Sequence, residues 1–398
     1  MKTWIFICMS IAMLLWFLST LRRKPSQKKG CIDAIIPAYN EGPCLAQSLD
    51  NLLRNPYFCR VICVNDGSTD NTEAVMAEVK RKWGDRFVAV TQKNTGKGGA
   101  LMNGLNYATC DQVFLSDADT YVPPDQDGMG YMLAEIERGA DAVGGIPSTA
   151  LKGAGLLPHI RATVKLPMIV MKRTLQQLLG GAPFIISGAC GMFRTDVLRK
   201  FGFSDRTKVE DLDLTWTLLA NGYRIRQANR CIVYPQECNS PREEWRRWRR
   251  WIVGYAVCMR LHKRLLFSRF GIFSIFPMLL VVIYGVGIYL TTWFNEFITT
   301  GPHGVVLAMF PLIWVGVVCV IGAFSAWFHR CWLLVPLAPL SVVYVLLAYA
   351  IWIIYGLIAF FTGREPQRDK PTRYSALVEA STAYSQPSVT GTEKLSEA

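Results

Sequence analysis

Long apolar runs stand at both ends of the chain, at residues 3–20, 270–293, 305–328 and 333–361, each about the length that spans a hydrocarbon layer. Backbone in such a layer must satisfy its own hydrogen bonds, so these runs admit helix and little else. Residues 30–240 are then the one stretch polar and long enough to build a water-soluble core. The chain divides accordingly into a membrane anchor with a basic flank (1–29), an α/β domain (30–240), a basic aromatic interfacial segment (241–265), C-terminal transmembrane helices (266–363) and a polar, Ser/Thr-rich tail expected to be disordered (364–398). A hydrophobic content of 51%, too high for an ordinary soluble domain, fits that division.

Arg22, Arg23, Lys24, Lys28 and Lys29 follow the first run, which by the positive-inside rule puts the middle domain in the cytoplasm of a multi-pass cell-membrane protein. Only Lys2 precedes that run and Arg22-Arg23 ends it, so it reads as an anchor rather than a cleaved signal. Three later crossings would carry the tail outside, whereas Arg364, Arg368, Lys370 and Arg373 favour the inside. One of the late segments is therefore expected to be re-entrant or interfacial, or else the tail breaks the trend.

The net charge is +13, with basic residues crowding next to apolar runs, which points to anionic membrane lipid as partner and away from nucleic acid. Residues 242–251 interleave arginine with tryptophan, a pattern that would also suit single strands, but they lead straight into Ile252-Val253 and the late apolar runs. Twelve cysteines without a CxxC, and four histidines far apart, exclude a zinc site built on those residues and suggest reduced thiols.

Within the middle, β-branched runs at 32–36, 60–64, 88–90, 112–115 and 142–146 alternate with helical patterns, such as that of Leu45, Leu49, Leu52 and Leu53. This rhythm predicts a mostly parallel sheet covered on both faces, with ligands bound past the carboxyl ends of its strands. Several motifs fall there: Pro37-Ala38-Tyr39-Asn40-Glu41 after the first strand, Asn65-Asp66-Gly67-Ser68 after the second, Asn94-Thr95-Gly96-Lys97-Gly98-Gly99 after the third and Asp117-Ala118-Asp119 after the fourth. Asp66 can accept from a ribose or base, although a plain turn and cap would use the same residues. Lys97 can neutralise a phosphate, and the loop is not a Walker loop because the upstream glycine spacing is absent. Asp117 and Asp119 can aim hard oxygen ligands at one divalent cation that also holds a diphosphate. Routine capping would explain a bare D-x-D equally.

Further on, residues 152–181 place Ile160, Val164, Met168 and Met171 at helical spacing with Arg161, Lys165, Lys172 and Arg173 between them. That stretch can lie on a membrane surface or face the core. Ser187 and Gly188 break an apolar run, as suits a substrate held close to backbone or a tight turn. Glu210, Asp211 and Asp213 open a helix, and capping the dipole accounts for one acid more readily than for three.

In this order, the set Pro37 to Glu41, Asp66-Gly67-Ser68, Gly96 to Leu101, Asp117-Ala118-Asp119, Ser187-Gly188 and Glu210-Asp211 resembles the membrane-embedded family 2 inverting glycosyltransferases of GT-A fold, the group of hyaluronan, chitin, cellulose and poly-β-1,6-N-acetylglucosamine synthases. The resemblance implies a Rossmann-like GT-A domain between membrane helices. It implies that Pro37, Tyr39, Glu41, Asp66, Lys97, Asp117 and Arg250 bind a UDP-sugar, and that Asp119, with Asp117, holds Mg2+ or Mn2+. Asp211 would be the general base, and Ser187, Gly188 and Trp251 would meet the acceptor. Arg250-Trp251 matches the end of the family's Q-x-x-R-W signature, whereas the glutamine position is Arg247, as ceramide glucosyltransferases tolerate. The leading expectation is a processive enzyme extending a β-linked polymer from UDP-N-acetylglucosamine, with the growing glycan as acceptor and an accessory subunit left open. Transfer of a single sugar to a lipid is the second, and a silent nucleotide-binding membrane receptor the third.

Overall fold

The computed structural model describes residues 23–151, 153–277 and 304–365. The anchor run at 3–20, most of the run at 270–293 and the tail beyond residue 365 lie outside the described residues.

The β-branched runs form strands where the sequence puts them: β1 (Ile32–Ala38), β2 (Phe58–Asp66), β3 (Phe87–Gln92), β4 (Gln112–Leu115) and β6 (Ala142–Pro147), with a two-residue β5 (Thr120–Tyr121) between the last two. The leucine stripe becomes α1 (Gly42–Arg54), with Leu45, Leu49, Leu52 and Leu53 all buried against the sheet. Helices α2 (Thr72–Trp83), α3 (Gly96–Leu105) and α4 (Gly128–Glu137) complete the crossovers. Then follow α5 (Leu156–Gly180), β7 (Gly191–Arg194), α6 (Thr195–Phe201), α7 (Glu210–Ala220), β8 (Ile225–Pro235) and α8 (Pro241–Leu261).

One eight-stranded sheet results, in the order β3-β2-β1-β4-β7-β6-β8-β5. Pairs β1 with β2, β1 with β4, β2 with β3 and β6 with β8 are parallel, as the sequence predicts. Two strands depart from this: the short β5 is antiparallel to β8, and β7 runs antiparallel to both β4 and β6. Its register sets Gly191 opposite Leu115, so β7 begins where β4 ends. The turn bearing Ser187 and Gly188 is thereby delivered to the same sheet edge as Asp117. Cores lie on both faces, one around Leu49, Phe58 and Met132 and the other around Leu101, Trp216 and Val253.

On α5 Met168 and Met171 are about half exposed (49% and 52%), while Arg161 and Arg173 are buried together with Ala162 and Leu166. After α8 come α9 (Gly304–His329) and a continuous helical run, α10 (Leu334–Thr362). Among the described residues α10 is the one helix both long and apolar enough to cross a bilayer, and 315–329 is a shorter apolar stretch.

Candidate active site

The first two motifs interlock. Asn40, held at a positive φ of 51°, donates its backbone N–H to Ser68 Oγ (2.9 Å) and accepts from the Thr69 N–H at Oδ1 (2.7 Å). The Glu41 N–H donates to Thr72 Oγ1 (2.9 Å) and the Gly42 N–H to Asp70 Oδ2 (3.1 Å). Gly67 has a φ of 72° and a Cβ there would lie 2.9 Å from the Asn94 nitrogen, so this turn requires glycine on two counts. Pro37 sits half-buried at the end of β1, Tyr39 is exposed, and Glu41 is buried against Cys44. Asn40 lies inside the first motif, but that it, Asp70 and Thr72 lace the two turns together is visible only in the fold.

Asp66 is buried and accepts from the Thr95 N–H (2.8 Å), the Gly96 N–H (2.9 Å) and Gln92 Nε2 (2.8 Å). Its charge meets the positive end of α3, so this residue anchors the glycine-lysine loop that sequence reasoning treats separately.

Lys97, at the start of α3, reaches across the edge to Asp117 Oδ1 (2.6 Å) and Glu210 Oε1 (3.2 Å). Asp211 accepts from the Gly188 N–H at Oδ2 (2.9 Å) and from its neighbour Leu212 at Oδ1 (2.9 Å). A Cβ on Gly188 would come within 2.8 Å of Lys97 Nζ, so a larger residue here would displace the lysine's ammonium from its place. A small cavity here is lined by Lys97, Ser187, Gly188, Glu210 and Asp211, with Leu101 and Phe203 as its apolar wall. Burial, reinforced by the adjacent Glu210 carboxylate, raises the Asp211 carboxyl above its ordinary value, and Lys97 offsets part of that.

Asp119 lies two residues beyond Asp117, buried, with Thr120 Oγ1 3.4 Å from its Oδ1. Its backbone oxygen accepts from the Gln236 N–H (3.0 Å), which ties the Asp-x-Asp turn to the end of β8. Asp117, Asp119, Glu210 and Asp211 offer carboxylate oxygens on this edge, the hard donor type a small divalent cation takes, and the Lys97 ammonium stands on Asp117 and Glu210. Among the described residues the side chains that converge closely enough to share one ion are Asp33, Cys59 and Cys110, at the opposite end of the sheet. There Asp33 is engaged by Arg60 and by the Thr109 and Cys110 amides.

On the other flank α8 presents Arg247, Arg250 and Trp251, all partly buried. Arg247, at the glutamine position of the signature, pairs with Glu244 and with Glu237 (3.0 Å). Glu237 also binds Arg161 (2.5 Å) and Lys165 (2.5 Å) of α5. Burial alone would raise the Glu237 carboxyl, but Arg161 and Lys165 bring it down to about 2. The guanidinium carbons of Arg161 and Arg247 stand 5.5 and 5.4 Å from the Trp251 ring centroid. Glu237 has no signal in the sequence, and Arg161 and Lys165, which the helical spacing sets between apolar positions, turn inward to meet it. Lone charges near apolar runs give no hint of mutual burial.

Residues 33–202 match the family model Glycosyl transferase family 2. The chain is 30% identical over 249 residues to the poly-β-1,6-N-acetyl-D-glucosamine synthase of Staphylococcus aureus (strain COL), covering 61% of this chain and 59% of that protein. It is 28% identical over 247 residues to the Staphylococcus epidermidis protein of the same name, with the same coverage. The chain thus spans about three fifths of the length of these curated relatives. In fold it is similar to a mannosyltransferase from Pyrobaculum calidifontis solved with GDP-Man and Mn2+, at a TM-score of 0.60 and 18% identity over 89% of this chain and 96% of that one. Residues 33–202 therefore match a family 2 glycosyltransferase domain, on a mixed α/β sheet of GT-A-like fold.

Proposed function

We propose that the chain is a membrane-bound inverting glycosyltransferase that extends a β-linked polysaccharide from a UDP-sugar, UDP-N-acetylglucosamine being the favoured donor. The observation that carries this reading is the meeting of the Gly188 amide, Lys97, Glu210 and Asp211 around one cavity, with Asp117 bound to the same lysine. Similarity to the staphylococcal synthases supports the donor and the polymer. The apolar α10, the outward methionines of α5 and the interfacial character of α8 support a membrane location with the domain on the cytoplasmic side.

In this reading Asp66 positions the loop that meets the nucleotide, with Pro37, Tyr39 and Glu41 beside it on the β1–α1 connection. Asp119 and Asp117 would hold Mg2+ or Mn2+, which when bound would supply neutralising charge for a diphosphate. Lys97 and Arg250 add fixed positive charge on the same side. Asp211 takes the proton of the acceptor hydroxyl as that oxygen bonds to the sugar C1 and UDP leaves from the opposite face, which inverts the anomeric centre. A carboxyl raised by burial is a stronger base than one in water, and such assistance contributes roughly 10² to 10⁴ in rate. Trp251, held in place by Arg161 and Arg247, is the aromatic side chain that would meet an acceptor ring.

Arg247 favours a second reading, transfer of one sugar to a lipid, because its ion pairs with Glu237 and Glu244 replace the amide of the polymerising signature. Incubating the full-length protein in membranes with labelled UDP-sugars and Mg2+ or Mn2+ separates the two. A ladder of sizes supports the polymerase, a single lipid-soluble product supports lipid transfer, and no turnover with any UDP-sugar overturns both.

A further inference from the structure

The helix that carries Glu210 and Asp211 is gripped at its start from two directions. Gly254 of α8 lies so close to Val209 that a Cβ there would come within 2.5 Å of Val209 Cγ2. The second grip comes from the far end of the chain. Just beyond α10, Glu365 accepts from Thr207 Oγ1 at Oε1 (2.5 Å) and from the Lys208 N–H at Oε2 (2.6 Å). Both oxygens of one carboxylate are thereby used on two consecutive residues, and Thr207 Oγ1 in turn accepts from the Val209 N–H (3.3 Å). The segment bearing Glu365 is itself anchored. Gly363, at a φ of 72°, closes the helix with its N–H on the Ala359 carbonyl (2.8 Å), and Arg260 of α8 donates to the Phe361 carbonyl.

We infer that Glu365 is a positioning residue for glycosyl transfer: it latches the Thr207–Lys208 turn and so fixes the start of α7, and with it Asp211, relative to the last apolar helix. The inference rests on the role proposed for Asp211. Its physical basis is leverage. Asp211 lies four residues past Thr207, in the first turn of α7, and a displacement of about 1 Å at a reacting group costs on the order of 10²-fold in rate. Asp66 and the Asp-x-Asp turn lie on other elements and do not touch Glu365, and Lys97, through Glu210, is the one donor-side group at the start of α7, so the latch acts chiefly on turnover. It also makes the seating of α10 a condition for activity, since any shift of that helix end is passed to the turn.

The test uses the full-length protein in membranes, with Glu365→Ala, the isosteric Glu365→Gln, Thr207→Val and the Thr207→Val/Glu365→Gln double variant. An amide has one acceptor oxygen and cannot hold both donors. The expected result is a fall in kcat of about tenfold or more for Glu365→Ala and Glu365→Gln, with donor KM within about twofold of wild type. The double variant should be no slower than Glu365→Gln alone, because both changes open one latch. Hydrogen exchange provides a readout independent of catalysis, and the Lys208 amide should lose protection in Glu365→Ala. Unchanged kcat, losses that multiply in the double variant, or equal exchange at Lys208 would each overturn the latch. Lost protection at Lys208 in a protein whose wild type transfers no sugar would keep the latch and overturn the role of Asp211 instead.

Discussion

Asp211 is a carboxylate whose surroundings work against its charge, since burial and Glu210 both favour the protonated form while Lys97 only partly opposes them. The proposed base must be ionised to act, so kcat is expected to fall with decreasing pH along a limb lying above the ordinary carboxylate range. A pH profile of kcat on saturating donor checks this. A limb near pH 4 would remove burial as the tuning force. The same shift has a consequence for stability. A carboxyl raised in the folded state contributes stability below its unfolded value and loses it as pH rises through the folded one, so at neutral pH its charge is a cost. Asp211→Asn should therefore raise Tm at neutral pH while reducing turnover by about 10² to 10⁴ and leaving UDP binding intact. Calorimetry with UDP and a melting curve read the two effects separately. Asp213, two residues on, behaves oppositely. Burial would raise it, but His262 (2.7 Å) and Arg206 (2.8 Å) hold it below the ordinary range, which marks it as structural.

At the scale of elements, the junction of α5, α8 and the end of β8 is held by charge rather than by apolar packing. Arg161 and Lys165 come from α5, Arg247 and Glu244 from α8, and Glu237 lies between them with a side chain 6% exposed. Buried ion pairs of this kind add little net stability when whole but cost several kcal/mol when one partner is removed. Arg247→Gln restores the residue of the related signature and nonetheless should destabilise the protein by about 2 kcal/mol, because it takes a charged donor from two buried carboxylates. Thermal unfolding of the variant in detergent checks the sign. A variant as stable as wild type would show that Arg161 and Lys165 suffice for Glu237. The antiparallel β7 is the other decisive element. Entering from the carboxyl edge, it brings Gly188 to Asp211, a contact no parallel crossover of that length would make.

For the whole molecule, the exposed methionines of α5 and the long apolar α10 fit a domain seated on a bilayer. Replacing Met168 and Met171 with glutamate should place two charges in the interface. The expected outcome is a shift of the protein toward salt-extractable fractions and a loss of activity in vesicles greater than in detergent. Equal activity in both media would separate α5 from the membrane.

Much of this was legible in the sequence for a local reason. Strand and helix periods, turn glycines and acids past strand ends are encoded within a few residues of one another, so the α/β alternation and the motif positions of Asp66, Lys97, Asp117 and Asp211 follow from the chain alone. What the sequence left open depends on partners far along it. That Asp66 holds the loop of Gly96, that Lys97 bridges Asp117 and Glu210, and that Arg247 serves Glu237 were decided by tertiary packing. The same holds for Glu365, which meets a turn 157 residues earlier. Such contacts arise where a charge, once buried, must take whichever counter-charge or amide the fold brings within reach, and no local pattern records that choice.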